Sequence, residues 1–415
     1  MEAEVKQHHS LAPFQHKEYR LFIANRFFYT MALRMVTTVV AYKLFQLTQT
    51  SFSIGILGLS EFVPVFSLAL YAGHVIDRSD KRTLLLKTIL SYSLCAVLLL
   101  LITVPSIEKR LSTTVLELSF YIIVFFTGVI RAFVGPTNSA IISQLVPRNI
   151  LQYAANINTT TYLSASILGH ASAGFLIAGV GVHGVFYFIV AYVFIAAFFV
   201  LRVGKKPILH QEQNIKTWES VKAGLHYVFK HKILLGAISL DLFAVLFGGA
   251  VALIPEFADK ILKVGPVGFG WLNAAIDIGS MLMIVTITLL PLRQNQGKIL
   301  MFAVAGFGIC IITFGLSDVF WMSFAALVIA GTLDGISVVV RGTILQLTTP
   351  DEMRGRVSSV NSMFINSSNE LGQFESGFTA RVMGTVPAVL FGGAMTILVV
   401  IVSWLKAPAL RKFEY

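Results

Sequence analysis

The chain has 415 residues, of which 56% are hydrophobic and only 13% charged. A soluble protein carries about 25% charged residues, so this chain cannot cover a water-facing surface of that size and reads as an integral membrane protein. The net charge of +11 does not require nucleic acid, because excess Lys and Arg mark cytoplasmic loops; two cysteines in apolar runs, Cys95 and Cys310, exclude a disulfide framework and a thiolate metal site.

Residues 1–19 form a polar tail of mixed charge. It has no short apolar stretch and no small-residue cleavage site, so the first apolar span is expected to stay in the protein. His8, His9 and His16 in this tail read as solvated side chains. About 20 apolar residues cross the hydrocarbon core, which predicts spans at 20–47, 52–74, 83–104, 115–144, 156–180 and 184–201. A charged linker, 202–232, follows. Six further spans are predicted at 233–257, 266–290, 298–316, 320–347, 357–383 and 386–405, before a tail at 406–415. In the linker, Trp218, Val221, Leu225, Val228 and Phe229 recur at helical spacing between lysines. That pattern predicts an amphipathic helix lying on the inner membrane face.

The expected fold is therefore all-α, with twelve transmembrane helices in two pseudo-symmetric six-helix bundles, 20–201 and 233–405. Of the 32 Lys and Arg, Arg26 and Arg34 lie in the first span, while Lys43, Lys109, Arg110, Lys260, Lys263 and Arg381 fall on one side. The other 24 are assigned to the side of both termini, which places the termini and the linker in the cytoplasm.

Sliding the chain on itself by 203 positions aligns Gly128 with Gly331, Ile141 with Ile344, Pro147 with Pro350 and Asn158 with Asn361. Leu168, Gly169 and Gly174 fall on Leu371, Gly372 and Gly377 without a gap. Six spans return the chain to the same side, so the halves are parallel repeats. This is the arrangement of two-bundle transporters, whose site lies near the midplane between halves.

Between the second and third spans stands Gly73-His-Val-Ile-Asp77-Arg78-Ser-Asp80-Lys81-Arg82. It resembles the loop signature of the major facilitator superfamily, departing from it at Val75 and Asp80. Arg131-Ala-Phe-Val-Gly135 is similar to a signature of proton-coupled members, without its glutamine. In the fifth span His170 stands where an antiporter signature has proline. The second half carries Asp241-Leu-Phe-Ala, Ile254-Pro-Glu-Phe-Ala, Arg341-Gly-Thr, Arg354-Gly-Arg-Val357 and Ser368-Asn-Glu370-Leu-Gly-Gln-Phe-Glu375-Ser-Gly377. Together these resemble the transmembrane secretion effector branch, which includes enterobactin exporters.

The resemblance implies an efflux carrier of the bacterial inner membrane. It also implies that Gly73, Asp77, Arg78 and Arg82 lock the inward ends of the bundles, with Asp77 capping a helix of the other bundle.

Charged residues deep in spans usually face the bundle interior and carry function. Counting residues puts Glu61, Asp277 and Glu370 near mid-depth, with Asp241 and Asp334 somewhat toward the cytoplasm. These five are the candidates for proton coupling, since burial disfavours a carboxylate's charge and brings its titration toward neutrality. Arg34, Arg131, Asp334 and Arg341 are the candidate cavity and gate residues. Because Arg131 aligns with Asp334 in the repeat, the two are expected to pair across the cavity as a gate. Glu375 lies nearer the outer end of its span.

No phosphate-binding loop of an ATPase is present, and Gly179-Val-Gly-Val-His-Gly184 falls in a turn between spans rather than after a strand. The expected function is a secondary transporter, not an enzyme: a proton-coupled exporter of a small amphipathic, siderophore- or drug-like molecule, working by alternating access. Its partners are that substrate, protons and the bilayer, with no cofactor, no metal and no nucleic acid, and it is expected to be a monomer. The alternatives are an importer or lysolipid transporter of the same fold, or a membrane sensor or scaffold without transport.

Overall fold

In a bilayer every backbone N–H and C=O must be paired within the protein, so apolar spans of this length fold as helices. The computed structural model describes residues 11–208, 217–289 and 294–414. His8, His9 and linker residues 209–216 lie outside the described residues. The first half comprises α1 (Lys17–Thr48), α2 (Ser51–Asp77), α3 (Lys81–Ile102) and α4 (Thr113–Ile142). A long helix, Leu151–Leu201, is broken where Gly181 adopts φ 72°, which divides it into α5 (151–180) and α6 (182–201). A side chain is strained at such a φ, and glycine makes the turn without that cost.

A linker helix, Thr217–Lys230, leads to the second half. There follow α7 (Lys232–Gly248), α8 (Gly265–Leu289), α9 (Gln296–Leu316), α10 (Phe320–Thr348), α11 (Asp351–Met383) and α12 (Thr385–Lys406). Among the described residues, nine helical stretches are long and apolar enough to cross a membrane, the α5–α6 pair counting as one. The helices α1 and α11 are less apolar, α1 because Arg26, Arg34 and Lys43 interrupt it and α11 because Ser, Asn and Gln recur along it beside Glu370 and Glu375. The two halves bury separate apolar cores, one around Phe22, Phe120 and Phe186, the others around Leu300 and Val340 and around Phe257 and Phe314.

One element differs from expectation, and a second makes contacts that the sequence did not show. The span expected at 233–257 is not one helix: α7 ends at Gly248, and short turns carry the chain through Ile261. Gly248 and Gly249 are poor helix formers, and Pro255 lacks an N–H. A Cβ on Gly249 would lie 3.4 Å from the Gly372 carbonyl carbon, and Ser376 Oγ donates to Gly249 O at 3.0 Å, which satisfies a carbonyl freed by the break. The linker helix, expected on the inner membrane face, packs on α11 and α7. Val228 is buried, Tyr227 Oη donates to Thr348 O at 2.5 Å, and a Cβ on Gly224 would stand 2.9 Å from Arg356 O. Phe229 remains exposed, and the side chains of Trp218 and Val221 lie outside the described residues.

The bundles meet along two seams, α2 against α11 and α5 against α8. The glycines of the repeat make both crossings. A Cβ on Gly377 would sit 3.0 Å from Gly55 Cα, and one on Gly174 would sit 3.0 Å from Gly270 Cα. These contacts lie in the half remote from the termini. Ser51 Oγ donates to Glu256 Oε2 at 2.5 Å on the same side, and Lys260 Nζ to Gln49 O at 3.1 Å. Toward the termini no glycine of the seam helices meets the other bundle among the described residues, and a cavity of about 670 Å³ lies between α1 and α5. The molecule is closed on the remote side and open toward the termini.

Candidate functional site

At mid-depth each seam carries a polar node. Arg131 projects from α4, whose helix packs on α2 because Gly128 lets it approach within contact of Glu61 and Pro64. The Arg131 guanidinium pairs with Glu61 of α2 through Nη1, and the same Nη1 lies 3.3 Å from Glu370 Oε1 of α11. Gln373 Nε2 donates to the other oxygen of Glu370 at 3.2 Å. One cation from the first bundle thus serves two carboxylates, one from each bundle. Glu370 is buried, while Arg131 keeps 32% of its side chain accessible, so the node borders open space.

The second node joins α1 and α5 to α8. Asp277 Oδ2 accepts from Ser166 Oγ at 2.5 Å and stands 3.8 Å from His170 Nε2. The other ring nitrogen of His170 is 2.6 Å from Thr38 Oγ1. Arg34 donates to the Tyr162 hydroxyl and lies 5.4 Å from the centre of that ring. In the second bundle Arg341 pairs with Asp241 and donates to Ser337 Oγ at 3.1 Å; both members of the pair are buried. Asp334 makes no ion pair or hydrogen bond among the described residues.

The expected Arg131–Asp334 gate is not formed: the cross-bundle partner of Arg131 is Glu370. The repeat equates α4 with α10, but each packs within its own bundle, α4 on α2 and α3, α10 on α8 and α9. Symmetry mates therefore stand apart, and contact across the bundles belongs to the seam helices. Arg131 and Arg341, counted with the terminus-side charges, lie at depth instead.

The expected lock is also not engaged in this conformation. Asp77 and Arg78 are exposed and make no side-chain ion pair or hydrogen bond among the described residues. Arg82 acts inside its own bundle, donating to the carbonyls of Val200, Leu201 and Val203 at 3.2, 2.8 and 3.0 Å, where it caps the end of α6. Asp80 caps α3, accepting from Arg82 N at 3.2 Å and Thr83 Oγ1, and it also accepts from Lys206 N at 2.8 Å. Burial opposes the Asp80 charge, but the hydrogen bonds from Thr83, Lys206 and Arg82 outweigh it and hold its carboxyl below the ordinary value.

Sequence reasoning passed over Ser166 and Tyr162 and treated His170 as a substituted proline. A histidine inside a span is an ionisable group at a cost, which was the available signal. Ser166 and Tyr162 gave none, because neutral polar residues are common in spans.

Two six-helix bundles around mid-depth ionised groups, closed on one side and open on the other, define a major facilitator transporter. The family profile described as transmembrane secretion effector matches residues 8–414, and the chain belongs to that family. The enterobactin exporter EntS of Shigella flexneri is 22% identical over 401 residues, 96% of this chain and 94% of that protein. The uncharacterized MFS-type transporter YfiS of Bacillus subtilis is 22% identical over 381 residues, 88% and 87% of the two chains. Among solved structures, a D-xylose–proton symporter superposes with a TM-score of 0.76 at 12% identity, covering 96% of this chain and 99% of that one. An inward-facing bacterial homologue of the human lysosomal transporter Spinster gives 0.70 at 15% identity, covering 95% and 97%. These two likenesses concern the fold.

Proposed function

We propose that this transporter is a proton-coupled exporter of a small amphipathic molecule, a monomer in the bacterial inner membrane with both termini in the cytoplasm. The observation that carries the coupling is the sharing of Arg131 by Glu61 and Glu370 across the α2–α11 seam. One guanidinium neutralises one carboxylate, and an unpaired carboxylate at mid-depth is costly. The second carboxylate is therefore the place for a transported proton. With the cytoplasmic side open, Glu370 gives up its proton and takes the Arg131 contact, which holds the seam closed toward the periplasm. Substrate entering from the cytoplasm competes for Arg131 and lets the seam part, and Glu370, now open to the periplasm, takes up a proton as substrate leaves. Asp241, Asp277 and Asp334 remain proton-site candidates of second rank, Asp241 being already matched by Arg341.

Export and an amphipathic, siderophore-like substrate are supported by the whole-length similarity to an enterobactin exporter. The Lys and Arg bias supports the orientation.

Proteoliposomes carrying a pH-sensitive dye test the reading against a panel of catecholates, dyes and lysolipids. Substrate-dependent proton flux that disappears in Glu370→Gln is expected. Substrate movement without proton flux removes the coupling, and accumulation inside right-side-out vesicles reverses the direction.

A further inference from the structure

Charged groups inside a membrane protein are almost always partnered, since an unpartnered one is costly at depth. Among the described residues, Arg26 and Asp334 lack an ion pair and a hydrogen bond. Arg26 on α1 makes no ion pair or hydrogen bond among the described residues, and its Nε is buried without a partner. Its guanidinium lies 5.0 Å from the centre of the Tyr162 ring, the same ring that Arg34 approaches, and Arg34 Nε is likewise buried and unsatisfied. Asn25 Oδ1 and the Tyr29 hydroxyl beside them on α1 are also buried without hydrogen bonds. On the other bundle the unpartnered group is Asp334 of α10, whose nearby Arg341 is committed to Asp241.

Arg26 thus lacks an anionic partner, while Arg34 has Asp277 in its surroundings, and Asp334 has Arg341 nearby without an ion pair to it. Arg26 and Asp334 sit on α1 and α10, which belong to opposite bundles and to neither seam. Arg26 and Asp334 are both partly accessible rather than sealed. At 1.5 Å per residue they lie about 14 Å and about 21 Å from the terminus-side ends of their helices, and Arg34 about 26 Å. Asp334 therefore falls between the two arginines in depth. The cavity of about 670 Å³ between α1 and α5 is lined by Arg20, Phe27, Phe28, Tyr153 and Asn156, among others, and Phe27 follows Arg26 in the chain. Its size and aromatic lining suit the apolar body of a small ligand.

We propose that the transported molecule is a zwitterion with an aromatic or similarly apolar body, its anionic group seated on Arg26 and Arg34 and its cationic group drawn to Asp334. Such a ligand supplies both missing partners at once. A plain anion meets Asp334 uncompensated, and a plain cation meets the arginines.

This specifies the substrate of the proposed transporter but not its coupling, and a binding measurement without a proton gradient tests it separately. Tryptophan, tryptamine and indole-3-propionate share one ring system and differ in charge. We expect thermal stabilisation of the wild-type protein in lipid nanodiscs to follow tryptophan above both others. Arg26→Gln lowers the affinity for tryptophan about tenfold or more, the scale of a lost charged hydrogen bond, and shifts preference to tryptamine. Asp334→Asn shifts it to indole-3-propionate. Arg26→Lys keeps the wild-type order, which separates loss of charge from misfolding. Equal binding of the three probes, preference for either singly charged one by the wild type, or no binding at millimolar concentration overturns the assignment. Failure of proton flux with this order intact overturns the coupling alone.

Discussion

Arg131 Nη1 stands 3.3 Å from Glu370 Oε1 across the boundary between the bundles, while the same nitrogen holds Glu61 from its own side. Removing either carboxylate leaves the arginine with one partner, whereas removing the arginine leaves both carboxylates without a cation, the buried Glu370 keeping only its hydrogen bond from Gln373. Arg131→Ala is therefore expected to destabilise the protein by about 3–5 kcal/mol. Glu370→Gln should cost much less and still abolish coupled transport. Thermal unfolding in nanodiscs alongside vesicle transport checks both, and equal destabilisation by the two variants contradicts the shared-cation picture.

The closed seam depends on backbone contact that no side chain can occupy. A Cβ on Gly174 would come within 2.5 Å of Pro266 O. Gly174→Ala is expected to cost about 1–3 kcal/mol of the closed form through overpacking, and to shift the population toward the state open on the remote side. A cysteine placed at Ser51 should then label faster from that side. An unchanged labelling rate with normal folding argues against the seam as the moving contact.

Asp77→Asn should leave the melting temperature unaltered, since the Asp77 side chain makes no ion pair or hydrogen bond among the described residues in this conformation. Its effect is confined to transport rate, if the opposite conformation uses it to cap a helix of the second bundle, a contact worth ~0.3–2 kcal/mol. Arg82→Ala behaves in the opposite way. It loses three carbonyl contacts at the end of α6 and should lower stability by about 1.5–3 kcal/mol.

Asp80 gives a pH signature outside the membrane. Its carboxyl is held below the ordinary value, so the stabilisation is present above the unfolded-state titration and is lost as pH falls through the folded-state one. Asp80→Asn should melt below the wild type at pH 7, and the gap should close under acid conditions below the usual carboxylate range. A gap that is constant with pH contradicts the capping role.

The Asp241–Arg341 pair should respond as a buried ion pair. Asp241→Asn strands Arg341 and is expected to cost about 3–5 kcal/mol, while replacing both residues with apolar side chains of similar size is expected to be nearly neutral for folding. Loss of transport in a well-folded double variant would assign the pair a functional role beyond structure.

Composition, span spacing and the repeat were enough to read a membrane protein of twelve helices in two parallel halves, because apolar length and charge excess act locally along the chain. The repeat also singled out Gly174 and Gly377, which the structure places at equivalent crossings; a glycine kept at both positions records a close approach. The list of mid-span carboxylates was legible for the same reason, since the cost of a buried charge depends on depth, and depth is counted along one helix. Which charge meets which was not legible. Arg131 aligns with Asp334 in sequence yet meets Glu370, because pairing is set by the helices in the seam, and the break of α7 at Gly248 and the docking of the linker helix on α11 likewise depend on distant neighbours. Sequence determined what each helix carries and how deep it lies; the tertiary structure alone decided its partners, because contacts between helices arise from packing in three dimensions, where residues 239 positions apart, such as Arg131 and Glu370, become neighbours.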